Sequence, residues 1–356
     1  MIIIIGAGQA GLAAGRELRL AGHDVLLLEA HSRVGESWRR RWDSLRLFTP
    51  ARLSSLPGLP LPGDGDRHPG KDEVAGYLED YAAHFELPVR LGASVSRLRR
   101  AADGRFEAVT DRDVLTADGV VVATGPFQRP HVPALPLGPD IVALHSADYR
   151  NPGLLPDGPV LVVGGGNSGL QIAAELSRDR QVTLAVGKRQ PVLPQRVLGR
   201  DVFAWLRALG VVTAPVGGRF GRFVRERDPL IGIGPGRLRR LGVRVVDGVV
   251  SADGGRLRTA GGQTVTPSVV IWATGYRPDY GWLRVPGALA GGVPLHTGGI
   301  SPVPGLTYVG LPFQRNRGSA LLGWVGHDAA LVARSYPVTP PPRSCTAGPV
   351  SPPATR

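Results

Sequence analysis

The stretch Met1-IIIIGAGQAGLAAGRELRLAGHDVLLL-Glu29 decides the fold, because it reads as one complete nucleotide-binding strand–helix–strand unit. Ile2 to Ile5 form a continuous apolar run, as expected of a parallel strand buried on both faces, and Gly6-Ala7-Gly8-Gln9-Ala10-Gly11 follows at once. Gly6 allows the tight turn and Gly8 lets a pyrophosphate approach the backbone. Gly11 lets the helix carrying Leu12, Ala13, Ala14 and Leu18 pack on the strand. A second strand, Val25 to Leu28, ends in Glu29, whose carboxylate can accept hydrogen bonds from the ribose hydroxyls of an adenosine. Glycine makes up 50 of 356 residues, so the glycine spacing alone would mean little; strand, helix, second strand and acid together make it specific.

The pattern occurs twice. Pro159-Val-Leu-Val-Val163 runs into Gly164-Gly165-Gly166-Asn167-Ser168-Gly169, followed by a helix with Leu170, Ile172, Ala173, Ala174 and Leu176. Its second strand, Val182 to Val186, ends in Gly187-Lys188-Arg189, with no acid where the first unit has Glu29. Two cations in place of a ribose-binding carboxylate favour a 2′-phosphate, hence NADPH over NADH, unless Lys188 and Arg189 are simply exposed turn residues. One nucleotide site with an acid and one fitted for NADPH imply FAD reduced by NADPH.

The fold expected is α/β, with two dinucleotide-binding, Rossmann-like domains of three layers (ββα), the NADPH domain inserted into the FAD domain. Residues 1–145 form the first part of the FAD domain, 155–280 the NADPH domain and 281–336 the returning segment. Residues 337–356 form a disordered, proline-rich tail. Asp72 to Phe85 reads as an amphipathic helix, and the proline-punctuated Leu53 to Gly70 as a long surface loop. Short alternating runs in Val89 to Val122 and Val243 to Thr266 read as antiparallel hairpins. Each leads into a strand ending in Ala-Thr-Gly, at Ala123 to Gly125 and Ala273 to Gly275. Gly318 to Tyr336 reads as a helix; no chemistry is assigned between Gln195 and Arg240.

Composition narrows the function. Mean hydropathy is near zero and no apolar run is long enough to span a bilayer, so a cytoplasmic enzyme is expected. The formal charge is +13, but all except Lys71 and Lys188 of the 42 basic residues are arginine, which reads as genome composition and a solvated surface rather than a nucleic-acid face. The single cysteine, Cys345, excludes a redox pair within the sequence, and with it disulfide reduction by this architecture. Oxygen is then the expected electron acceptor, with a small-molecule substrate and a homodimer as further possibilities.

The sequence resembles the class B flavin-dependent monooxygenases, most closely bacterial proteins similar to YUCCA-type and flavin-containing monooxygenases. The resemblance rests on both glycine turns, Leu45-Arg-Leu-Phe-Thr-Pro50, Leu56-Pro-Gly58, Tyr77-Leu-Glu-Asp-Tyr81, Leu193-Pro-Gln-Arg196, Ala273-Thr-Gly-Tyr276 and Gly305-Leu-Thr-Tyr-Val-Gly310. The family's Phe-x-Gly-x-x-x-His-x-x-x-aromatic motif is half present: His145 and Tyr149 fit, while Pro139 and Ile141 replace Phe and Gly. The resemblance implies reduction of FAD by NADPH, a C4a-(hydro)peroxyflavin, and oxygenation of a small, apolar substrate while NADP⁺ stays bound. It implies FAD contacts from Gly6, Gly8, Gln9, Ala10, Gly11, Glu29, Trp38 and Asp328, and NADPH contacts from Gly164, Gly166, Asn167, Ser168, Gly169, Lys188 and Arg189. Thr49 beside the flavin and His145 in movement of the NADPH domain complete the set, with no metal. An NADPH oxidase or flavin reductase of the same architecture, or a non-enzymatic flavoprotein sensor, would share most of these features.

Overall fold

A computed structural model describes residues 1–337; Cys345 and all of the expected tail but Pro337 lie outside them. The first apolar strand, Ile2–Ile5, sits at the centre of a five-stranded parallel sheet. Val25–Leu28 and then Val89–Arg90 lie on one side of it, Gly119–Val122 and then Leu306–Tyr308 on the other. The strand's period of two divides its side chains between two cores. Ile2 and Ile4 pack with Leu12, Ala13 and Leu18 of the helix Gln9–Leu20, and with Val325, Ala329 and Val332 of the helix Val325–Ala333. Ile3 and Ile5 pack with Leu98, Phe106 and Ala108, which belong to an antiparallel meander of Val95–Arg100, Phe106–Thr110 and Val114–Ala117. A strand apolar at every position is what a sheet covered on both faces requires.

The second sheet repeats this plan. Its order is Arg244–Asp247, Val182–Val186, Val160–Val163, Val269–Trp272, Val142–His145, all parallel. Val160 and Val162 face the helix Asn167–Leu176, whereas Leu161 and Val163 face a meander through Leu257 and Val265. Each domain is therefore meander, parallel sheet and helices, a three-layer ββα arrangement, with the second domain inserted before the chain returns through Leu306–Tyr308. The outgoing and returning connections run side by side, Arg129–Pro130 pairing antiparallel with Tyr276–Arg277. Among the described residues, no helix is long and apolar enough to cross a membrane.

Four local expectations need correction. Val89–Arg90 and Arg244–Asp247 are not hairpin arms but parallel edge strands, beside Leu27–Leu28 and Thr183–Val186 respectively; strands this short alternate alike whichever way they pair. Leu53 to Gly70 is not wholly a surface loop, since Ser54, Leu56 and Leu61 are buried. Tyr77 and Tyr81 make that burial possible. The Tyr77 hydroxyl accepts from Leu56 N at 2.7 Å and donates to Leu59 O at 2.7 Å, and Tyr81 donates to Pro57 O at 2.8 Å. The last helix begins at Val325, after a separate 3₁₀ turn at Arg317–Ala320. Gly323 passes so close to the backbone of Leu53 that a Cβ there would lie 2.1 Å from its carbonyl oxygen.

Candidate active site between the two glycine turns

Both glycine turns sit at the carboxyl end of their central strands, closed underneath and open above. In the first, Gly6 has φ +101°, its N–H donates to Leu28 O at 2.8 Å, and a Cβ at Gly11 would lie 1.8 Å from Gly6 O. Where the Cβ of Gly8 would point there is no atom within 4 Å. The helix starting at Gln9 carries no side-chain cap and no acid in its first turn, so its leading N–H groups face that open space. Glu29 completes the cradle. Its Oε2 accepts from Ala7 N at 2.9 Å, and its Oε1 accepts from His31 N at 3.0 Å and lies 2.7 Å from His31 Nδ1. Oε2, with Ala7 N as its one partner among the described residues, keeps a lone pair for a further donor. Gln9 donates to Ala320 O at 2.8 Å and Ala10 is buried beside Gly310, so the returning segment closes on the same turn.

The second turn has the same geometry. Gly164, at φ +126°, donates to Ala185 O at 2.9 Å, a Cβ at Gly169 would meet Gly164 O at 2.0 Å, and the space over Gly166 is open. Asn167 Oδ1 accepts from Ile231 N at 3.4 Å, and Ser168 is half-buried on the same turn of helix. Lys188 and Arg189 are exposed, and the Arg189 guanidinium, 91% exposed, reaches only to 4.0 Å from Asp247. Among the described residues, neither cation is committed to a close partner.

Between the turns the domains meet through named contacts. Trp38 is half-buried against the helix-side cores of both domains. Phe203 of the second domain is fully buried, stacks on Phe48 of the first at 5.7 Å and packs against Trp324 of the returning segment. Gln195 Nε2 donates to Phe48 O at 3.0 Å and to Asp201 Oδ2 at 2.8 Å, and His68 Nε2 lies 3.1 Å from the same carboxylate oxygen. Thr49 is buried next to Phe48. Ser54 Oγ donates to Pro50 O at 3.0 Å, which leaves it to accept the Thr49 hydroxyl proton at 2.8 Å.

His145 ends its strand at the double connection. Its Nδ1 accepts from Ala147 N at 3.1 Å, so its Nε2–H donates to Gly275 O at 3.1 Å, and its ring meets Tyr276 edge-on at 5.0 Å. Burial holds its pKa below the usual value against the opposing pull of the Gly275 carbonyl, which keeps the ring neutral. Tyr149 is buried and donates to Glu175 Oε2 at 2.9 Å, an anchor within the second domain. Asp328 is 1% exposed. Arg315 Nη1 reaches its Oδ1 at 3.3 Å, its Oδ2 has no partner among the described residues, and burial raises its pKa.

Sequence reasoning missed two junction residues. Arg41 donates to the Tyr276 hydroxyl at 2.6 Å and lies over the Phe127 ring at 4.6 Å, clamping the first domain to both connections. The run Arg39-Arg40-Arg41 reads as solvated charge, and only the fold brings Phe127 and Tyr276 to it. Gln195 lies in a stretch that carries the family resemblance, yet nothing in its spacing points to Asp201 or Phe48.

Two open nucleotide cradles on two parallel sheets, joined by one double connection, define a two-domain dinucleotide-dependent oxidoreductase. The family model described as pyridine nucleotide-disulphide oxidoreductase matches residues 3–207. The chain belongs to the class B flavin monooxygenases within that family. It is 42% identical to the "uncharacterized oxidoreductase CzcO-like" of Geobacillus kaustophilus, over 92% of this chain and 95% of that one. It is 31% identical to the indole-3-pyruvate monooxygenase YUCCA1 of Oryza sativa, over 85% of this chain and 82% of the relative. The solved flavin-containing monooxygenase of Stenotrophomonas maltophilia superposes with a TM-score of 0.78 at 29% identity, covering 94% of this chain and 96% of that one.

Proposed function

We propose that the chain is an FAD-dependent, NADPH-consuming monooxygenase of a small, apolar organic substrate, working in the cytoplasm. The observation that carries this reading is the pair of open glycine cradles, one in each domain, in a chain with a single cysteine. Two nucleotides can be seated, and no thiol pair is present to take the electrons.

The residues fit both groups. Gly6, Gly8 and Gly11, with the uncapped N-terminus of Gln9–Leu20, would seat the FAD pyrophosphate, and Glu29 would take its ribose hydroxyls. Gln9, Ala10, Trp38 and Asp328 would close around the remainder. Gly164, Gly166, Asn167, Ser168 and Gly169 would seat NADPH, with Lys188 and Arg189 on its 2′-phosphate. When bound, FAD supplies the redox chemistry, accepting hydride from NADPH and, once reduced, activating dioxygen. The protein's part is to orient the two nucleotides and exclude water. Trp38, Phe48 and Phe203 make the junction apolar, and Thr49, its proton held by Ser54, lines the substrate side as a fixed wall. His145, neutral and bonded to Gly275, holds the connection about which the NADPH domain moves.

The test is NADPH-dependent uptake of ¹⁸O₂ by the purified protein with a panel of apolar sulfides, amines, ketones and aryl 2-oxo acids; the rice relative's name puts the last class on it. Label in a product, with peroxide well below the NADPH consumed, is the expected result. Peroxide equal to NADPH throughout would make the protein an oxidase, and flavin not bleached by NADPH would refute the enzymatic reading.

A further inference from the structure

The helix Arg219–Glu226, in the excursion between the parallel strands Val182–Val186 and Arg244–Asp247, has an apolar face that the fold covers only in part. Gly221 and Val224 are buried, Gly221 so closely that a Cβ would meet Pro215 O at 2.0 Å. Phe220 and Phe223, beside them on the helix, are 52% and 49% exposed. At helical spacing Phe223, Phe220, Val224 and Gly221 make one continuous stripe, half seated on the protein and half facing outward. Arg219, Arg222 and Arg225, with Glu226 among them, occupy the rest of the circumference and are all exposed. Arg227, just after the helix, lies over the Phe223 ring at 4.8 Å. Between 219 and 240 there are seven exposed arginines against two acids, and one of these, Asp228, is already bonded to Arg317.

We infer that this face docks the enzyme on the surface of an anionic lipid bilayer, the two phenylalanines entering the acyl boundary and the arginines reaching the headgroups. Charge decides among occupants. A second copy would bring arginine against arginine, whereas an anionic leaflet complements the three arginines that outnumber Glu226 on the helix. A stripe of two rings continuous with a buried valine suits hydrocarbon depth better than the stacked bases of a single-stranded nucleic acid. The arrangement has the composition of an interfacial helix, with arginines on the polar face and aromatics on the other.

The experiment is co-sedimentation of the full-length protein with vesicles of phosphatidylcholine alone or containing about one third phosphatidylglycerol, at two salt concentrations. Retention by the anionic vesicles only, weakening with salt, is expected. Phe220→Ser with Phe223→Ser should lower that binding by tenfold or more, and Arg222→Gln with Arg225→Gln by roughly fivefold per charge. All four side chains are exposed, so NADPH oxidation should be unchanged in both double variants and serves as the control for folding. No anionic vesicle binding by the wild type would overturn the proposal, as would binding indifferent to the phenylalanine pair. So would loss of a dimer in the Phe220→Ser/Phe223→Ser variant, or an oligonucleotide bound in preference to vesicles.

Discussion

Gly8 and Gly11 stand three residues apart in the same turn and should fail in opposite ways. Open space over Gly8 means that Gly8→Val is accommodated by the fold but fills the place of a pyrophosphate. The expected product is a folded, colourless protein with unchanged far-ultraviolet circular dichroism. A Cβ at Gly11 meets a backbone carbonyl at 1.8 Å, so Gly11→Ala should instead destabilise the protein by about 3 kcal/mol or more, read as a fall in thermal midpoint. Retention of stoichiometric FAD by Gly8→Val would refute the assignment of the first turn. Asp328 carries a pH prediction. Its pKa is raised by burial above the ordinary 3.8, so the folded protein binds this proton more tightly than the unfolded chain. Its stabilising contribution is complete below 3.8 and is lost as pH rises through the folded value. Asp328→Asn should therefore flatten the decline in apoprotein stability above pH 3.8, measured as thermal midpoint against pH.

At the scale of elements, Asp201 does two jobs with two oxygens. Oδ1 accepts from Phe203 N at 2.8 Å and caps the helix Val202–Ala208, while Oδ2 holds Gln195, which in turn holds Phe48 O of the other domain. Asp201→Ala should cost about 2 kcal/mol, of which the cap accounts for roughly half. Gln195→Ala should cost less, and the double variant should cost less than the sum, because both remove one shared bond. Denaturation midpoints of the four proteins close that cycle, and additivity would show that the Gln195–Asp201 bond carries nothing. The same scale explains where local reading failed. Leu53 to Gly70 has the prolines of a surface loop, but the hydroxyls of Tyr77 and Tyr81 satisfy its backbone from a helix some twenty residues away, which allows it to be buried.

For the whole molecule, the proposed preference for NADPH rests on the end of one strand of the inserted domain. Lys188→Ala with Arg189→Ala should raise KM for NADPH about 10- to 100-fold, by loss of charge-assisted bonds to a phosphate, and leave KM for NADH nearly unchanged. Equal loss of both would refute the 2′-phosphate role.

The α/β class, the duplicated nucleotide unit, the insertion of one domain in the other and the absence of a thiol pair were all legible in the sequence. Each is carried by residues whose meaning is local: an apolar run that ends in glycines at fixed spacing, a carboxylate or a lysine–arginine pair at the end of the next strand, a count of cysteines. The junction was not legible. Arg41 on Phe127 and Tyr276, and Gln195 between Asp201 and Phe48, depend on residues brought together across the chain, where spacing carries no information. The exposed half of the Arg219–Glu226 stripe is of the same kind. Sequence marks those phenylalanines as apolar, and only the tertiary structure decides which of them find a core, because burial depends on what packs opposite.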